Sequence, residues 1–353
     1  MSSVAVAGGG IIGLSIAWRL AQRGWKVTVF EKSSIGSEAS WAAAGMLSPG
    51  GEVDSPSELA SLAIESRRLY PQFVSELQES TKLAIDYQEC GALDLAYNSE
   101  ESEALESRAI RQAQLGIESK SLKAERVRAF WPRVRSEGLV AARFYPGDAT
   151  VNPRDVVLAL ASACSALGVS VVQQHAVESA EITDKEVRVQ TDQASSRYDA
   201  LVIASGAWSD SIRVTGVPEI PSAEPVKGHL VGYQQPLQTC NTILRHGHTY
   251  VMQRANGLLI VGASAERVGF NREIIPSIAG SLAEQAGFLL PHLNETTPSE
   301  TWIGFRPGSD RLHIGSWHSK RLYVAYGHLR NGVLLAPVTA ERIAAEMSFL
   351  LSG

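Results

Sequence analysis

The chain has 353 residues, enough for about two domains with a large buried core. Hydrophobic residues make up 44% of it, charged residues 20%, and the net charge is only −5 with both signs scattered, so nucleic-acid binding is not expected. No stretch approaches the roughly 18 uninterrupted apolar residues of a membrane span, and the apolar N-terminus lacks the basic start of an export signal. Cys90, Cys164 and Cys240 show no metal-ligand spacing, so we expect a cytoplasmic protein without a metal site.

The N-terminal segment predicts a nucleotide-binding unit. A buried strand over residues 4–7 runs into a G-x-G-x-x-G turn, and a helix over residues 11–23 and a second strand over residues 25–30 follow. This strand–turn–helix–strand order is the context in which the glycine motif binds dinucleotides.

Each glycine of that motif has a physical reason. Gly8 permits the tight turn, Gly10 lets the backbone approach a pyrophosphate, and Gly13 lets the helix pack closely on the strand. The helix N-terminus offers free N–H groups to the phosphates. Glu31 lies 18 residues beyond Gly13, where a carboxylate accepts the ribose hydroxyls. The motif alone does not decide between FAD and NAD.

Three further helices are predicted before the middle of the chain, over residues 57–81, 99–116 and 153–167. Asn152 suits the N-cap of the last of these, with Pro153 in its first turn and Gly168 as its stop. The helix over residues 99–116 has Leu105, Ala109 and Leu115 on an apolar face, and charged residues cover the rest, which predicts a solvated surface there.

The second half predicts two kinds of sheet. Strands are expected over residues 169–173, 177–182 and 186–190, and the apolar run Leu201–Gly206 is typical of a central parallel strand whose small end residues leave room for a ligand. Short strands between residues 226 and 303, separated by turns such as Asn256-Gly257, indicate an antiparallel sheet. A strand over residues 322–326 and a final helix reaching Leu350 return to the first sheet.

Five more segments carry a family resemblance. Together with the N-terminal motif they resemble the D-amino-acid oxidase superfamily of FAD-dependent amine oxidases, and within it the glycine oxidases of the thiazole branch of thiamine biosynthesis. The resemblance spans nearly the whole chain and rests on residues 39–47, 148–155, 201–209, 304–308 and 327–332.

The resemblance implies an α/β fold with a discontinuous FAD-binding domain. A Rossmann-type FAD-binding domain would comprise residues 1–85, 145–220 and 304–353. An α+β substrate-binding domain with an antiparallel sheet would comprise residues 86–144 and 221–303. Residues 93–140 and 263–298 carry none of these motifs, and we expect them to shape the substrate pocket.

The resemblance also implies an FAD site that follows the cofactor from end to end. Val177 would offer its backbone to the adenine, Glu31 and Lys32 would hold the ribose, and Gly206 would end its strand against the cofactor. A helix beginning near Gly332 would direct its positive end at the flavin. The remaining implied residues are Gly8, Gly10, Ile11, Ile12 and Gly13 at the pyrophosphate, Ala39, Ser40, Ala44, Gly45 and Met46 along the flavin, and His328, Leu329, Arg330, Asn331, Gly332, Val333 and Leu334 around its pyrimidine side.

Four residues are implied for the substrate. Arg306 is the candidate anchor, because a guanidinium pairs with both oxygens of a carboxylate and fixes the orientation of an amino acid. Tyr250 would donate its hydroxyl to the same carboxylate, and His248 would line the same strand face. Arg330 would reach the substrate or only hold the flavin loop.

The expected reaction is hydride transfer from the substrate's α-carbon to FAD, with no catalytic base required. The resulting imine hydrolyses to an α-keto acid, or to glyoxylate from glycine, and oxygen becomes hydrogen peroxide. Some sarcosine oxidases hold flavin through a late cysteine, but no cysteine follows Cys240 here, so non-covalent FAD is predicted. The expected partners are a small amino acid and oxygen, with no membrane, and the protein is expected to be a homo-oligomer.

Two alternatives stay open at this point. One is a D-amino-acid dehydrogenase or sarcosine-oxidase-like enzyme with another electron acceptor or substrate. The other is a non-catalytic dinucleotide-binding sensor, which would leave Arg306 and Tyr250 without a role.

Overall fold

The computed structural model describes residues 2–348, so the predicted end of the last helix at Leu350 lies outside the described residues. Within them the chain forms nine α-helices: α1 (Ile11–Gln22), α2 (Ala39–Ala42), α3 (Pro49–Glu52), α4 (Glu58–Thr81), α5 (Ser99–Ala113), α6 (Ala124–Phe130), α7 (Pro153–Ala166), α8 (Pro276–Leu289) and α9 (Gly332–Ser348). None of these helices is long and apolar enough to cross a membrane.

The same residues form 21 strands and two short 3-10 helices, Gly206–Ser211 and Pro291–Glu295. The strands in chain order are β1 (Ser3–Ala7), β2 (Lys26–Glu31), β3 (Met46–Leu47), β4 (Tyr87–Gln88), β5 (Ala92–Ala96), β6 (Lys120–Leu122), β7 (Ala141–Tyr145), β8 (Ala149–Val151), β9 (Ser170–Gln173), β10 (Val177–Ile182), β11 (Val187–Thr191), β12 (Ser195–Tyr198), β13 (Ala200–Ile203), β14 (Arg213–Thr215), β15 (Glu224–Gln234), β16 (Ile243–His246), β17 (Thr249–Gln253), β18 (Leu258–Gly262), β19 (Glu300–Gly308), β20 (His313–Ser316) and β21 (Leu322–Tyr326).

A six-stranded sheet carries the glycine-rich turn. Its order is β20-β21-β13-β1-β2-β9, and all pairs are parallel except β20 with β21. Every residue of β13 is buried, as expected for a central strand covered on both faces. Helix α1 packs against α7 and α9 on one side of this sheet. The Rossmann-type α/β fold is therefore confirmed.

An eight-stranded sheet forms the second layer of the molecule. Its order is β19-β15-β18-β17-β16-β5-β7-β6, antiparallel throughout except for the parallel pair β16–β5. Strand β19 crosses the domain boundary predicted at residue 304, because its residues up to Gly308 pair with β15. The two predicted sets of domain segments stay a prediction.

Two smaller sheets complete the fold. A four-stranded sheet has the order β12-β11-β10-β14, and a three-stranded one has the order β3-β8-β4. The three-stranded sheet joins Met46 to Thr150 in register, which brings together the two motif segments around residues 46 and 150.

Capping residues place two helices where the sequence predicts them. The Ser57 hydroxyl accepts a hydrogen bond from the Ala60 N–H at the start of α4, and the Asn152 side chain accepts one from Arg154 at the start of α7. The helix predicted over residues 99–116 forms as α5, with Ala109 buried on its apolar face and most of its charged residues exposed. Its Gln112 is fully buried and donates to the backbone carbonyls of Gly50 and Val53.

Candidate functional site

A cavity of about 920 Å³ lies where the carboxyl ends of β1, β13 and β21 face strands β15, β17 and β19 of the eight-stranded sheet. Its volume is at the upper end of the range for small-molecule sites. All cofactor residues predicted from the sequence line it except Gly13 and Leu334, and so do all four predicted substrate residues. The fold thus gathers residues from the first 50 and the last 50 positions around one space.

The glycine-rich turn is closed so tightly that side chains are excluded. Gly8 has a φ of +112°, and a Cβ on it would overlap the Ala204 carbonyl oxygen at the end of β13. A Cβ on Gly13 would overlap the carbonyl oxygen of Gly8 itself, which explains why Gly13 lies beneath the turn and not in the cavity wall. The turn leaves the N-terminus of α1 open to the cavity, and Ser40 accepts the Ile11 N–H at 2.9 Å.

Glu31 and Lys32 line the cavity at the end of β2. The Glu31 carboxylate is 8% exposed and accepts the backbone N–H of Gly9 at 2.8 Å and that of Ser33 at 2.9 Å. The Lys32 ammonium lies 3.4 Å from the centre of the Trp208 ring and 3.2 Å from the Glu38 carboxylate. Both side chains are therefore held in place before any ligand binds.

The segment from Ala39 to Met46 passes the cavity as a row of small residues. Gly45 has a φ of +99°, and a Cβ on it would overlap the Val151 carbonyl oxygen of β8. Ala42 lies so close to Gly304 of β19 that a Cβ on Gly304 would collide with it. This packing excludes side chains at Gly45 and Gly304, both of which line the cavity.

Helix α9 begins at the opposite wall. Gly332 and Val333 line the cavity, whereas Leu334 is 1% exposed and packs into the core beside α1 and α4. Backbone N–H groups in the first turn of a helix have no partner within the helix and carry a positive partial charge. The 17-residue α9 therefore presents a positive end to the cavity.

His328 precedes this helix and is held neutral by its surroundings. It is 3% exposed, and its Nε2 lies 3.0 Å from the Thr339 hydroxyl. Burial lowers the pKa of His328 to about 3. The imidazole therefore carries no charge in the neutral range.

We expect this buried imidazole to weaken the protein in acid. Below an unfolded-state pKa of about 6.5, the unfolded chain takes up a proton that the folded chain refuses, so the free energy of unfolding falls as pH drops towards 3. At pH 5 the loss from His328 is about 2 kcal/mol. The free energy of unfolding, measured with urea at pH 7 and pH 5, should fall by about 2 kcal/mol less in His328→Gln than in the wild type. An equal drop in both proteins would contradict the assignment.

Arg306 and Tyr250 meet at the other end of the cavity. The Arg306 Nη1 donates to the Ser264 carbonyl at 2.9 Å, and the guanidinium covers Gly228, where a Cβ would overlap it. Burial lowers the pKa of Arg306, and no carboxylate among the residues described lies within 4.0 Å of it. Burial raises the pKa of Tyr250 to about 12, so its hydroxyl stays a proton donor.

The two remaining predicted residues flank this pair differently. Arg330 is largely exposed, and its Nε donates to the Glu52 carboxylate at 2.5 Å. His248 lines the cavity from the turn between β16 and β17 and not from a strand, so it does not share a strand face with Tyr250.

Sequence reasoning missed an ionic cluster in the same wall. The Arg245 Nε donates to Asp94 at 2.5 Å and its Nη1 to Asp148 at 2.8 Å, while Arg108 of α5 also binds Asp94. Arg108 and Arg245 line the cavity. Only Asp148 lies in a motif segment, and the four residues come from α5, β5, β16 and the β7–β8 turn, so no local pattern relates them.

The arrangement fits an FAD molecule. The cavity wall includes the glycine turn at one place and Arg306 at another, it has two helix N-termini, and backbone carbonyls exclude side chains at Gly8 and Gly45. Among residues 2–348 no group of three or more His, Cys, Asp and Glu side chains could hold a metal ion.

Comparisons with known proteins point the same way. A family model described as FAD dependent oxidoreductase matches residues 3–346. Glycine oxidase from Geobacillus kaustophilus (strain HTA426) is 33% identical over 347 residues, covering 97% of this chain and 91% of that protein. The bifunctional protein ThiO/ThiG of Synechocystis sp. is 32% identical over 353 residues, covering 97% of this chain but only 51% of that protein. The crystal structure of glycine oxidase from Geobacillus kaustophilus superposes with a TM-score of 0.92 at 31% identity, covering 99% and 95% of the two chains.

The chain therefore belongs to the family of FAD-dependent oxidoreductases that the D-amino-acid oxidases typify. FAD is its cofactor, and it is similar over nearly its whole length to proteins named glycine oxidase.

Proposed function

We propose that this oxidoreductase oxidises glycine or another small amino acid or amine at its α-carbon. The products would be an imine, which hydrolyses to glyoxylate or another α-keto acid and ammonia, and hydrogen peroxide from oxygen. The observation that carries the proposal is Arg306, a cation in the cavity wall that lacks a carboxylate partner among the described residues. A charge held out of water without a counter-ion favours binding of an anion.

The chain's own residues would orient the substrate. Arg306 would bind the carboxylate, and Tyr250 would donate its hydroxyl to the same group, since its high pKa keeps the proton on the phenol. The amine and α-carbon would then point along the cavity towards the row of small residues that ends at Met46. When bound, FAD supplies the acceptor for the α-hydrogen and its electron pair.

The residues proposed to hold FAD are those that the sequence predicts. Glu31 and Lys32 would bind the ribose, the turn at Gly8 and Gly10 the pyrophosphate, and the first turn of α9 the flavin. Gly13 would contribute from beneath the turn, by letting α1 pack closely against it. None of the three cysteines lines the cavity, which supports non-covalent binding.

A place in thiamine biosynthesis is part of the proposal. It is supported by the likeness to bifunctional ThiO/ThiG proteins, of which this chain covers about half. The predicted homo-oligomer and cytoplasmic location stay predictions.

The experiment is to purify the protein and measure peroxide under air with glycine, sarcosine, D-alanine and D-proline in parallel. Yellow protein that forms peroxide with glycine at least as fast as with the others would support a glycine oxidase. Bleaching under nitrogen without peroxide in air would instead identify a dehydrogenase with another acceptor. Protein that binds flavin and reacts with none of these amines would contradict the proposal.

Tyr250→Phe isolates the contribution of the hydroxyl. We expect KM for the amino acid to rise about fivefold, because one hydrogen bond to a carboxylate is lost while Arg306 remains. Flavin content should not change, since the ring still fills the same space against Gly262. Steady-state kinetics would check this, with Tyr198→Phe as the matched control, since the half-buried Tyr198 of β12 is outside the cavity wall. Equal KM values for the two variants would show that the Tyr250 hydroxyl does not bind the substrate carboxylate.

A further inference from the structure

A fully buried histidine lies one strand position from the residue on which Arg306 rests. His229 of β15 has no exposed surface, and its Nε2 accepts the backbone N–H of Ile275 at 2.9 Å. Because Nε2 accepts, the ring proton must be on Nδ1, which lies 2.8 Å from the Glu266 carboxylate. His229 is therefore a neutral donor to Glu266.

Ser264 connects this pair to the substrate end of the cavity. Its hydroxyl accepts the His229 backbone N–H at 2.8 Å and donates to the Glu266 carboxylate at 2.7 Å. Its carbonyl accepts the Arg306 Nη1. Burial would raise the pKa of Glu266, but the hydrogen bonds from Ser264 and His229 outweigh burial and lower it, so the carboxylate stays ionised.

Serine, histidine and glutamate in contact resemble a nucleophilic triad in composition, but the bonding directions rule this out. In a triad, one ring nitrogen of the histidine faces the serine and the other faces the acid. Here Nδ1 faces both Ser264, at 3.2 Å, and Glu266, while Nε2 is occupied by a backbone N–H. His229 has no free lone pair with which to take a proton from Ser264.

The Arg306 guanidinium rests on backbone and donates to a carbonyl. Beneath it is the bare backbone of Gly228, and beside it is the Ser264 carbonyl, the single hydrogen-bond acceptor that the structure gives it. The carbonyl belongs to the segment that follows β18, which is fixed by the bonds to His229 and Glu266. The backbone pairing of Lys227 with Glu266 ties the same segment to β15.

We propose that His229 and Glu266 are positioning residues: they fix the Ser264 carbonyl and thereby aim the Arg306 guanidinium at the substrate carboxylate. This inference rests on the proposed function, in which Arg306 binds that carboxylate. Neither residue touches the substrate. Their loss should loosen the anchor and leave the reacting end of the cavity as it is.

The test uses the FAD-loaded enzyme and acetate as a probe of the carboxylate site, with binding read from the flavin absorbance. We expect His229→Leu to raise the Kd for acetate and the KM for the amino acid about tenfold, because Glu266 loses the imidazole donor that holds it beside the Ser264 hydroxyl. The rate at saturating substrate should change by less than about twofold. His229→Asn keeps a donor near the Nδ1 position and should recover most of the affinity.

Ser264→Ala is the variant least disturbing to the fold, because it removes one hydroxyl and keeps the carbonyl. Like His229→Leu, it should raise the Kd for acetate. His313→Leu is the matched control, since His313 is also buried and lies 2.8 Å from a carboxylate, that of Asp310, but is outside the cavity wall. It should leave the Kd unchanged.

The outcomes separate the inference from the proposed function. If Arg306→Ala does not weaken acetate binding, the anchor itself is wrong and the proposed function fails. If Arg306→Ala weakens it but Ser264→Ala and His229→Leu bind acetate like the wild type, only the positioning role is overturned. If His313→Leu loses as much acetate affinity as His229→Leu, the positioning role is also overturned, because the effect would then be one of general stability.

Discussion

Arg306→Ala should lose about 2–5 kcal/mol of substrate interaction while the protein remains yellow. Among the described residues, Arg306 is the only lysine or arginine in the cavity wall without a carboxylate within 4.0 Å. No other such cation is therefore free to bind the substrate carboxylate in its place. The FAD residues at the glycine turn and α9 do not contact it through any hydrogen bond that the structure shows. The measurement is kcat/KM with the best amino acid, together with the flavin-to-protein ratio.

Two further variants make this prediction specific. Arg306→Lys keeps the charge but cannot pair with both carboxylate oxygens, so it should fall between wild type and Arg306→Ala. Arg197→Ala removes an exposed arginine paired with Glu186 and should behave like wild type. An unchanged kcat/KM in Arg306→Ala would exclude the anchor role.

Gly13→Val should yield colourless protein. Any side chain at Gly13 would occupy the position of the Gly8 carbonyl oxygen, and Gly8 in turn is pressed against Ala204. The turn would have to move away from β13, and the N-terminus of α1 would no longer face the pyrophosphate. Flavin content after purification in excess FAD, and FAD binding followed by fluorescence, would measure the loss.

A second glycine within a helix provides the control. A Cβ on Gly280 in α8 would meet no heavy atom within 4 Å beyond its chain neighbours and the nearby backbone of its own helix, so Gly280→Ala should bind FAD normally and gain a few tenths to about 1 kcal/mol of stability. Circular dichroism would show whether Gly13→Val is folded. Folded Gly13→Val with normal flavin content would show that the turn tolerates displacement and that its placement here is wrong.

The sequence predicted the parts of the site that depend on local geometry. The turn around Gly8, the capped start of α7 at Asn152 and the apolar strand β13 each carry their cause within a few neighbouring residues. The family resemblance added Arg306, which no local rule distinguishes from the other arginines. The structure places the Gly8 turn and Arg306 in the wall of one cavity, and their roles in binding stay predictions.

The missed residues depend on contacts between distant segments. Arg108 looks like one more charge on a solvated helix until β5 places Asp94 beside it. Glu266 and His229 lie 37 positions apart, and only the pairing of β15 with the segment after β18 brings them together. The unmatched stretches were expected to shape the pocket, and Arg108 and Ser264 from them do line it.

The strand order of the six-stranded sheet also limits when the protein can acquire its cofactor during synthesis. Strand β1 has β13 as one neighbour, with Val4 beside Ala200, and α1 packs against α9 near the end of the chain. A nascent chain that has reached only β12 therefore exposes an unpaired edge of β1 and an uncovered face of α1. The glycine turn is among the first segments made, but the residue it rests against comes about 200 positions later. We therefore expect FAD capture to follow translation of nearly the whole chain, with the unfinished sheet depending on chaperones until then.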